Sequence, residues 1–259
     1  MKYDSIGTGY NSTRKADPYL TSRIIYLLNP ESRGKYLDIG SGTGNYTSAL
    51  AEHGISMTGV EPSEKMISEA QSRNSNIRWL KGSAEKIPAA NNEFDGAIAT
   101  LTIHHWTDLK KGMQELQRVI KKEGKIVIFT STSEQMKGYW LNQYFPMMLE
   151  ESIQQMPALQ TIKEAVSIAG LNIVGMEKYF VKNDLEDCFL YVGKNKPLLY
   201  FDPNIRHGIS SFSSLANQEE VESGLAMLDS DLKQNRFEAI REKYTNDYGD
   251  YLFLLLEKK

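Results

Sequence analysis

Three glycines at alternate positions, Gly40, Gly42 and Gly44, follow an apolar run in KYLDIGSGTGNYTSAL, and Asp38 stands two residues before the first of them. Glycine in or beside regular structure costs roughly 0.5–1 kcal/mol relative to alanine, so something is expected to approach that backbone closely. A turn from a strand into a helix also offers free N–H groups, in the crevice where a parallel sheet places its ligand. Glu61 closes a second apolar run about twenty residues on, where a carboxylate can accept both hydroxyls of a ribose. His104 and His105 follow a later run, in TIHHW. Histidine titrates near neutrality and suits abstraction of a proton from a hydroxyl or an acidic carbon. Arg206 and His207 are candidates for meeting a carboxylate or phosphate.

The glycine spacing is informative. A dinucleotide fingerprint places its third glycine three beyond the second, where this chain has Asn45. No Lys-Ser or Lys-Thr follows, so the loop is not a P-loop. A phosphate cradle is the weaker reading. An acid at a strand tip beside bare carbonyls suits a cation.

These residues sit on alternating strand and helix patterns. Strands are predicted at KYLDIG, SMTGVE, IRWLKG, FDGAIATLT and KIVIFTS, with helices at NYTSALAEHG, PSEKMISEAQSR and DLKKGMQELQRVIKKEG, the last ended by Gly124. Asp17 and Pro18 open an earlier helix. This rhythm predicts βαβ units and a mostly parallel sheet, with strands apolar on both faces. Beyond Ser131 it breaks. Residues 134–157 are rich in methionine and aromatics, TIKEAVSIAG reads as a helix, NIVGMEKYFV as a strand, and DYLFLLLEK as a last strand after an irregular, mostly helical stretch.

The G-x-G-x-G spacing with its preceding acid resembles motif I of the class I S-adenosylmethionine-dependent methyltransferases. VEPSEKM resembles the second motif, KGSAEKIP the adenine segment, and FDGAIATLTIHHW the fourth motif. ELQRVIKKEGKIVI resembles the helix, turn and strand after that motif, and all the matches come in family order over residues 35–130. Within the family the chain most resembles the group containing the ubiquinone and menaquinone C-methyltransferases. The resemblance implies a Rossmann-like α/β fold: a seven-stranded, mostly parallel sheet with the last strand antiparallel, helices on both faces, and helical lid insertions after strand 5 and between strands 6 and 7. It implies one methyltransferase domain over residues 1–259, with an N-terminal lid and first helix (1–30), a cofactor-binding core (31–132) and substrate-covering insertions (133–160 and 183–247).

The cofactor implied is S-adenosylmethionine. Asp38, Gly40, Ser41, Gly42 and Gly44 would hold it at the first loop, Glu61, Pro62 and Ser63 at the second motif, Ser83, Ala84 and Glu85 at the adenine, and Leu101 beside its methionine arm. Ser83 replaces the usual aspartate, and a neutral bond to the adenine amino group is weaker than a charge-assisted one. Tyr10 and Arg14 resemble lid residues that close over the methionine end. Methyl transfer from a sulfonium needs alignment and exclusion of water, and a base only where the acceptor must lose a proton. His105, ahead of His104, is the candidate for that base. Tyr139, Trp140, Tyr144 and Arg206 are the candidate substrate contacts, the aromatics forming a lid over a lipophilic molecule, the lid's own core, or a homodimer surface. The expected function is methylation of a small, partly apolar metabolite. The alternatives are an RNA or protein methyltransferase, or a protein that holds the cofactor without turnover.

Composition sets further bounds. The formal net charge of −3 argues against a broad nucleic-acid footprint. Cys188 is the single cysteine, so no intrachain disulfide forms, and no Cys/His cluster has zinc-ligand spacing, so no metal is expected. The first residues lack an apolar signal core, and YLFLLL is too short to span a bilayer, which leads to the expectation of a cytoplasmic protein without membrane contact.

Overall fold

The computed structural model describes residues 13–259. Helix α1, Pro18–Leu28, is opened by Asp17, whose carboxylate accepts from the Leu20 amide at 2.9 Å, and closed by Asn29 in the left-handed region (φ 46°). The alternating part then runs β1 (Lys35–Ile39), α2 (Asn45–Glu52), β2 (Ser56–Glu61), α3 (Glu64–Arg73), β3 (Arg78–Lys81), β4 (Phe94–Thr100), α4 (Leu109–Val119) and β5 (Ile120–Thr130). Four short or medium helices follow, α5 (Ser133–Met136), α6 (Leu141–Tyr144), α7 (Pro146–Gln155) and α8 (Leu159–Ile168), before β6 (Leu171–Tyr179). A second helical stretch, α9 (Pro203–Gly208), α10 (Ser210–Ser214), α11 (Gln218–Lys233) and α12 (Phe237–Lys243), leads to β7 (Tyr251–Lys258).

The seven strands form one sheet in the order β3-β2-β1-β4-β5-β7-β6. Pairs from β3 to β5 are parallel, and β7 is antiparallel to both its neighbours. Alternate residues serve opposite faces, as strand geometry requires. Leu37, Ala97, Ile126 and Ile128 pack in one cluster with Met113 and Leu116 of α4 and Ile162 and Val166 of α8. Tyr36, Ile98, Val127 and Phe129 pack in another with Leu20 and Ile24 of α1 and the lid. Both faces are therefore covered, which is why these strands read as continuous apolar runs.

One boundary differs from the sequence reading. Helix α4 ends at Val119, not at Gly124. Ile120 leaves the helix to pair with Phe94, and the chain then turns through Glu123 at φ 63°. Gly124 has no room for a side chain: a Cβ there would lie 2.4 Å from Ile120 and 2.8 Å from the Asp95 carbonyl.

The lid aromatics expected to meet substrate point elsewhere. Tyr139, Trp140 and Tyr144 are almost wholly buried in the lid's own core. Trp140 stands edge-on to Tyr144, Tyr200 and Phe237, and its indole N–H donates to the Lys194 carbonyl at 3.0 Å. Tyr139 stacks on Tyr191 at 4.0 Å between ring centres and donates to the Asp250 carbonyl. The Tyr144 hydroxyl donates to Asp231 at 3.1 Å. These rings weld the first insertion to the second, so their large apolar area is used for lid cohesion.

Candidate active site

The site forms where β1, β2 and β4 end. The Gly40 and Ser41 amides both donate to the Val60 carbonyl, at 2.8 and 3.1 Å, and this folds the glycine loop over β2. All three loop glycines have positive φ, 72°, 55° and 78°. Their surroundings differ. A Cβ on Gly40 would fall 1.9 Å from the Thr102 hydroxyl, and one on Gly44 would fall 2.3 Å from the Trp79 ring. A Cβ on Gly42 would meet nothing nearer than the Met66 sulfur at 4.0 Å. Two of the glycines thus answer to the protein's own packing, and Gly42 leaves bare backbone facing a cavity.

That cavity has a volume of about 490 Å³, within the usual range for small-molecule sites. One end is walled by the glycine loop, Asp38, Glu61, Ala84 and Leu101, and the other by Met136, Gln155, Met156, Phe189, Leu190, Ile209 and Leu215. Glu61, at the tip of β2, is buried, and its two oxygens accept from the Gly42 amide at 3.1 Å and the Ser63 amide at 3.0 Å. Burial raises its pKa, and those two hydrogen bonds pull it partly back. Asp38, at the tip of β1, is 3 % exposed and accepts from the Thr47 hydroxyl at 2.6 Å. Burial pushes its carboxyl up to about 7, against the Thr47 bond, and the nearby Glu61 charge adds to the rise.

Most of the predicted cofactor residues line this one cavity: Arg14, Asp38, Gly40, Ser41, Gly42, Glu61, Pro62, Ser83, Ala84, Glu85 and Leu101. Gly44 and Ser63 do not. Gly44 packs on Trp79, and Ser63 caps α3 while holding Glu61. Tyr10 lies outside the described residues. Burial favours protonation of Glu85, but hydrogen bonds from its own backbone, Ser83, Asp108 and Thr107 outweigh that and keep its carboxylate ionised. Its oxygen accepts from the Thr107 amide and hydroxyl and the Asp108 amide at 2.7–3.2 Å, so it braces the turn after β4. Arg14 reaches the cavity but is bound to Asp187, at 2.5 and 3.3 Å. Asp187 also accepts from the Tyr46 hydroxyl at 3.2 Å.

His104 and His105 sit on a short turn, Ile103–His105, beyond Leu101. Leu101 holds a left-handed backbone (φ 51°), a conformation disfavoured for a side-chain-bearing residue, and its amide donates to the Phe129 carbonyl at 2.7 Å. Both histidine rings line the cavity, 3.8 Å apart between centres. His105 is exposed, whereas Nδ1 of His104 is buried without a hydrogen-bond partner. Ser41 Oγ and Thr100 Oγ1, on two other residues that line the cavity, are likewise buried and unpartnered.

The substrate candidates fare worse. Tyr139, Trp140 and Tyr144 are absent from the cavity wall, for the packing reason given above. Arg206 donates to the Tyr200 carbonyl at 2.5 Å and lies with His207 in a separate open groove. The lid end is lined instead by Met136, Gln155, Met156, Phe189, Leu190, Ile209 and Leu215, with Ser152, Ser210, Ser211 and Ser214. All of these lie in the two insertions the sequence assigns to covering the substrate, with Met136 and Met156 in its methionine-rich stretch, but the sequence did not single out the others, because those segments have no regular hydrophobic period.

This strand order, with a bare glycine turn over β1 and carboxylates at two adjacent strand tips, defines a Rossmann-like methyltransferase fold. Residues 37–128 match the methyltransferase domain family. A crystal structure of a candidate methyltransferase from an antibiotic biosynthesis pathway of Anabaena variabilis is 33 % identical, superposes with a TM-score of 0.84, and covers 95 % of this chain and 99 % of that one. The chain belongs to the class I S-adenosylmethionine-dependent methyltransferases. An uncharacterized methyltransferase of Mycobacterium tuberculosis is 27 % identical over 135 residues, 52 % of this chain and 55 % of that protein. A demethylmenaquinone methyltransferase of Chlorobaculum parvum is 26 % identical over 182 residues, 62 % and 74 % of the two. The chain thus spans about half the length of the first of these curated relatives.

Proposed function

We propose that this enzyme transfers a methyl group from S-adenosylmethionine to a small, partly apolar metabolite. The observation that carries this is the single cavity joining Gly42 and Glu61 to the methionine, phenylalanine and leucine wall of the lid. The cofactor end fits the donor. Glu61 keeps lone pairs beyond those used by Gly42 and Ser63, enough for a ribose diol. Asp38 offers a carboxylate to a cation, and Ile39, Ala84 and Leu101 offer apolar surface for a base. When bound, the sulfonium supplies an activated methyl group. The chain's own residues then bind, align and shut out water, which for such a displacement is most of the catalysis. The lid supplies apolar and hydroxyl side chains, which favours a small molecule over a polynucleotide or protein segment. A cytoplasmic location is part of the same reading, and no helix among the described residues is long and apolar enough to cross a membrane.

The test is calorimetry with S-adenosylhomocysteine. The wild type should bind, and Glu61→Ala should bind at least 30-fold more weakly, as expected for loss of a charge-assisted pair of hydrogen bonds worth about 2–3 kcal/mol. Absence of wild-type binding would end the proposal.

A further inference from the structure

We infer that the methyl acceptor is an uncharged molecule carrying a carbonyl or hydroxyl group, and that Gln155, Ser210 and Ser214 are the residues that select it. This rests on the methyltransferase reading and deepens it by naming the substrate class.

The two ends of the cavity differ in charge. Among the described residues, the acids and histidines that line it belong to the strand tips and the turns after them (Asp38, Glu61, Glu85, His104 and His105) or to the Arg14–Asp187 ion pair. The helices of the lid end, α7 and α10, bring serines, Gln155 and apolar side chains to the wall, and no ammonium, guanidinium or carboxylate. A carboxylate or phosphate bound against them would leave water without meeting a cation of the lid, which is costly. The same anion would also lie in one cavity with Asp38 and Glu61.

Hydrogen bonding at the lid end is unevenly taken up. Ser131 meets the Tyr139 hydroxyl and donates to the Asp250 carbonyl, at 2.9 and 3.0 Å. Ser152 donates to Ser211 at 2.8 Å, tying α7 to α10. The side chains of Gln155, Ser210 and Ser214 make no hydrogen bond among the described residues, and none of the three is sealed: Gln155 and Ser214 are exposed, and Ser210 is half-buried. They also belong together. Gln155 follows Ser152 by three positions on α7, and Ser214 follows Ser211 by three and Ser210 by four on α10. Residues three and four apart share a helix face, so the Ser152–Ser211 bond gathers them around one seam.

An amide and two hydroxyls offer donors and acceptors without charge. Met156, Phe189, Leu190, Ile209 and Leu215 supply the apolar remainder. The matching acceptor has an apolar body and a neutral polar group. A site that hydrogen-bonds such a group rejects analogues lacking it far more strongly than an apolar pocket rejects an extra methylene.

The test needs no knowledge of the natural acceptor. Saturation-transfer NMR on the protein loaded with S-adenosylhomocysteine compares 4-hydroxyacetophenone, 4-hydroxybenzoate and 4-isopropylphenol. The three have nearly one shape and differ in a neutral carbonyl, an anion or an apolar group at one position. The ketone should bind at least about tenfold more tightly than the benzoate and about fivefold more tightly than the isopropyl compound. The double variant Gln155→Leu/Ser214→Ala should bring the ketone to the affinity of the isopropyl compound, whose own binding does not fall. Its affinity for S-adenosylhomocysteine should stay at the wild-type value, which also reports that it folds. Ser214→Lys should reverse the preference, with the benzoate gaining about tenfold. Wild-type protein that binds the benzoate as tightly as the ketone, a ketone affinity untouched by the double variant, or no ketone binding at about 10 mM, the weakest affinity expected of a fragment of that size, overturns the inference. Failure of wild-type S-adenosylhomocysteine binding would instead strike the methyltransferase proposal itself.

Discussion

Replacement of Asp38 by asparagine isolates the least comfortable group in the site. The side chain is 3 % exposed and its carboxyl is pushed from the ordinary 3.8 up to about 7. The folded state therefore binds this proton more tightly than the unfolded chain does. Stability from this group is fully present below pH 3.8 and is lost as pH rises toward 7. At 1.36 kcal/mol per pH unit, the rise amounts to about 4 kcal/mol in all, of which about 2.5 falls between pH 5 and pH 8. An amide in place of the carboxyl would keep the shape and still accept from Thr47 without ionising. In urea or thermal unfolding of the ligand-free protein, Asp38→Asn should gain about 2.5 kcal/mol on wild type between pH 5 and pH 8. In a chain of this size that is about 5–10 °C in Tm. Comparing the two proteins removes the contribution of every titrating group that does not interact with Asp38, which leaves Glu61 as the coupled neighbour. A ligand that sets its ammonium group against Asp38 should restore ionisation, so wild-type affinity for S-adenosylhomocysteine, which carries that ammonium, should rise about tenfold from pH 6 to pH 8, while that of the variant stays flat. A stability difference that does not change with pH would refute the reasoning.

The glycines separate by the same logic. Gly42→Ala carries only the strain of φ 55°, about 1–2 kcal/mol in chemical denaturation, yet should weaken S-adenosylhomocysteine binding more than tenfold by calorimetry. Gly44→Ala drives a methyl into Trp79 and should cost about 2–4 kcal/mol of stability, with the binding that survives near wild type. Trp140→Ala should cost about 3–5 kcal/mol of stability and leave S-adenosylhomocysteine affinity unchanged, because the ring serves the lid's core and not the cavity. Tyr144→Phe should cost about 1 kcal/mol in the same denaturation assay, by removing the hydrogen bond to Asp231.

What the sequence disclosed is what short stretches of chain decide for themselves. Asp38 and Glu61 sit at the ends of β1 and β2, Gly42 in the turn from β1 into α2, and Ala84 in the loop after β3, where the backbone within a few residues places each group at the crevice. Trp140 shows the limit. Its type says apolar and bulky, but its direction is set by Tyr200 and Phe237, 60 and 97 positions away. Asp187 belongs to a stretch with no period, and meets Arg14 and Tyr46 only when the second insertion folds back over α2. Gly44 has the same spacing as Gly42, and only the position of Trp79 tells them apart. At Ile120–Gly124 helix-favouring lysines and a glutamate were outvoted by pairing of Ile120 with Phe94, an instance of tertiary contacts overriding propensity.

The placement of β7 has a consequence for how the molecule is made. Six strands of the sheet are complete by Tyr179, yet β5 and β6 have no direct partnership; residues 251–258 must slide in between them. Until that happens during synthesis, the edge of the apolar strand β5 and both edges of β6 stand open at once, and open edges recruit other chains. A ribosome that stalls, or a protease that clips, anywhere in the second lid would release a polypeptide with its donor-binding half nearly built and its sheet split, primed to aggregate.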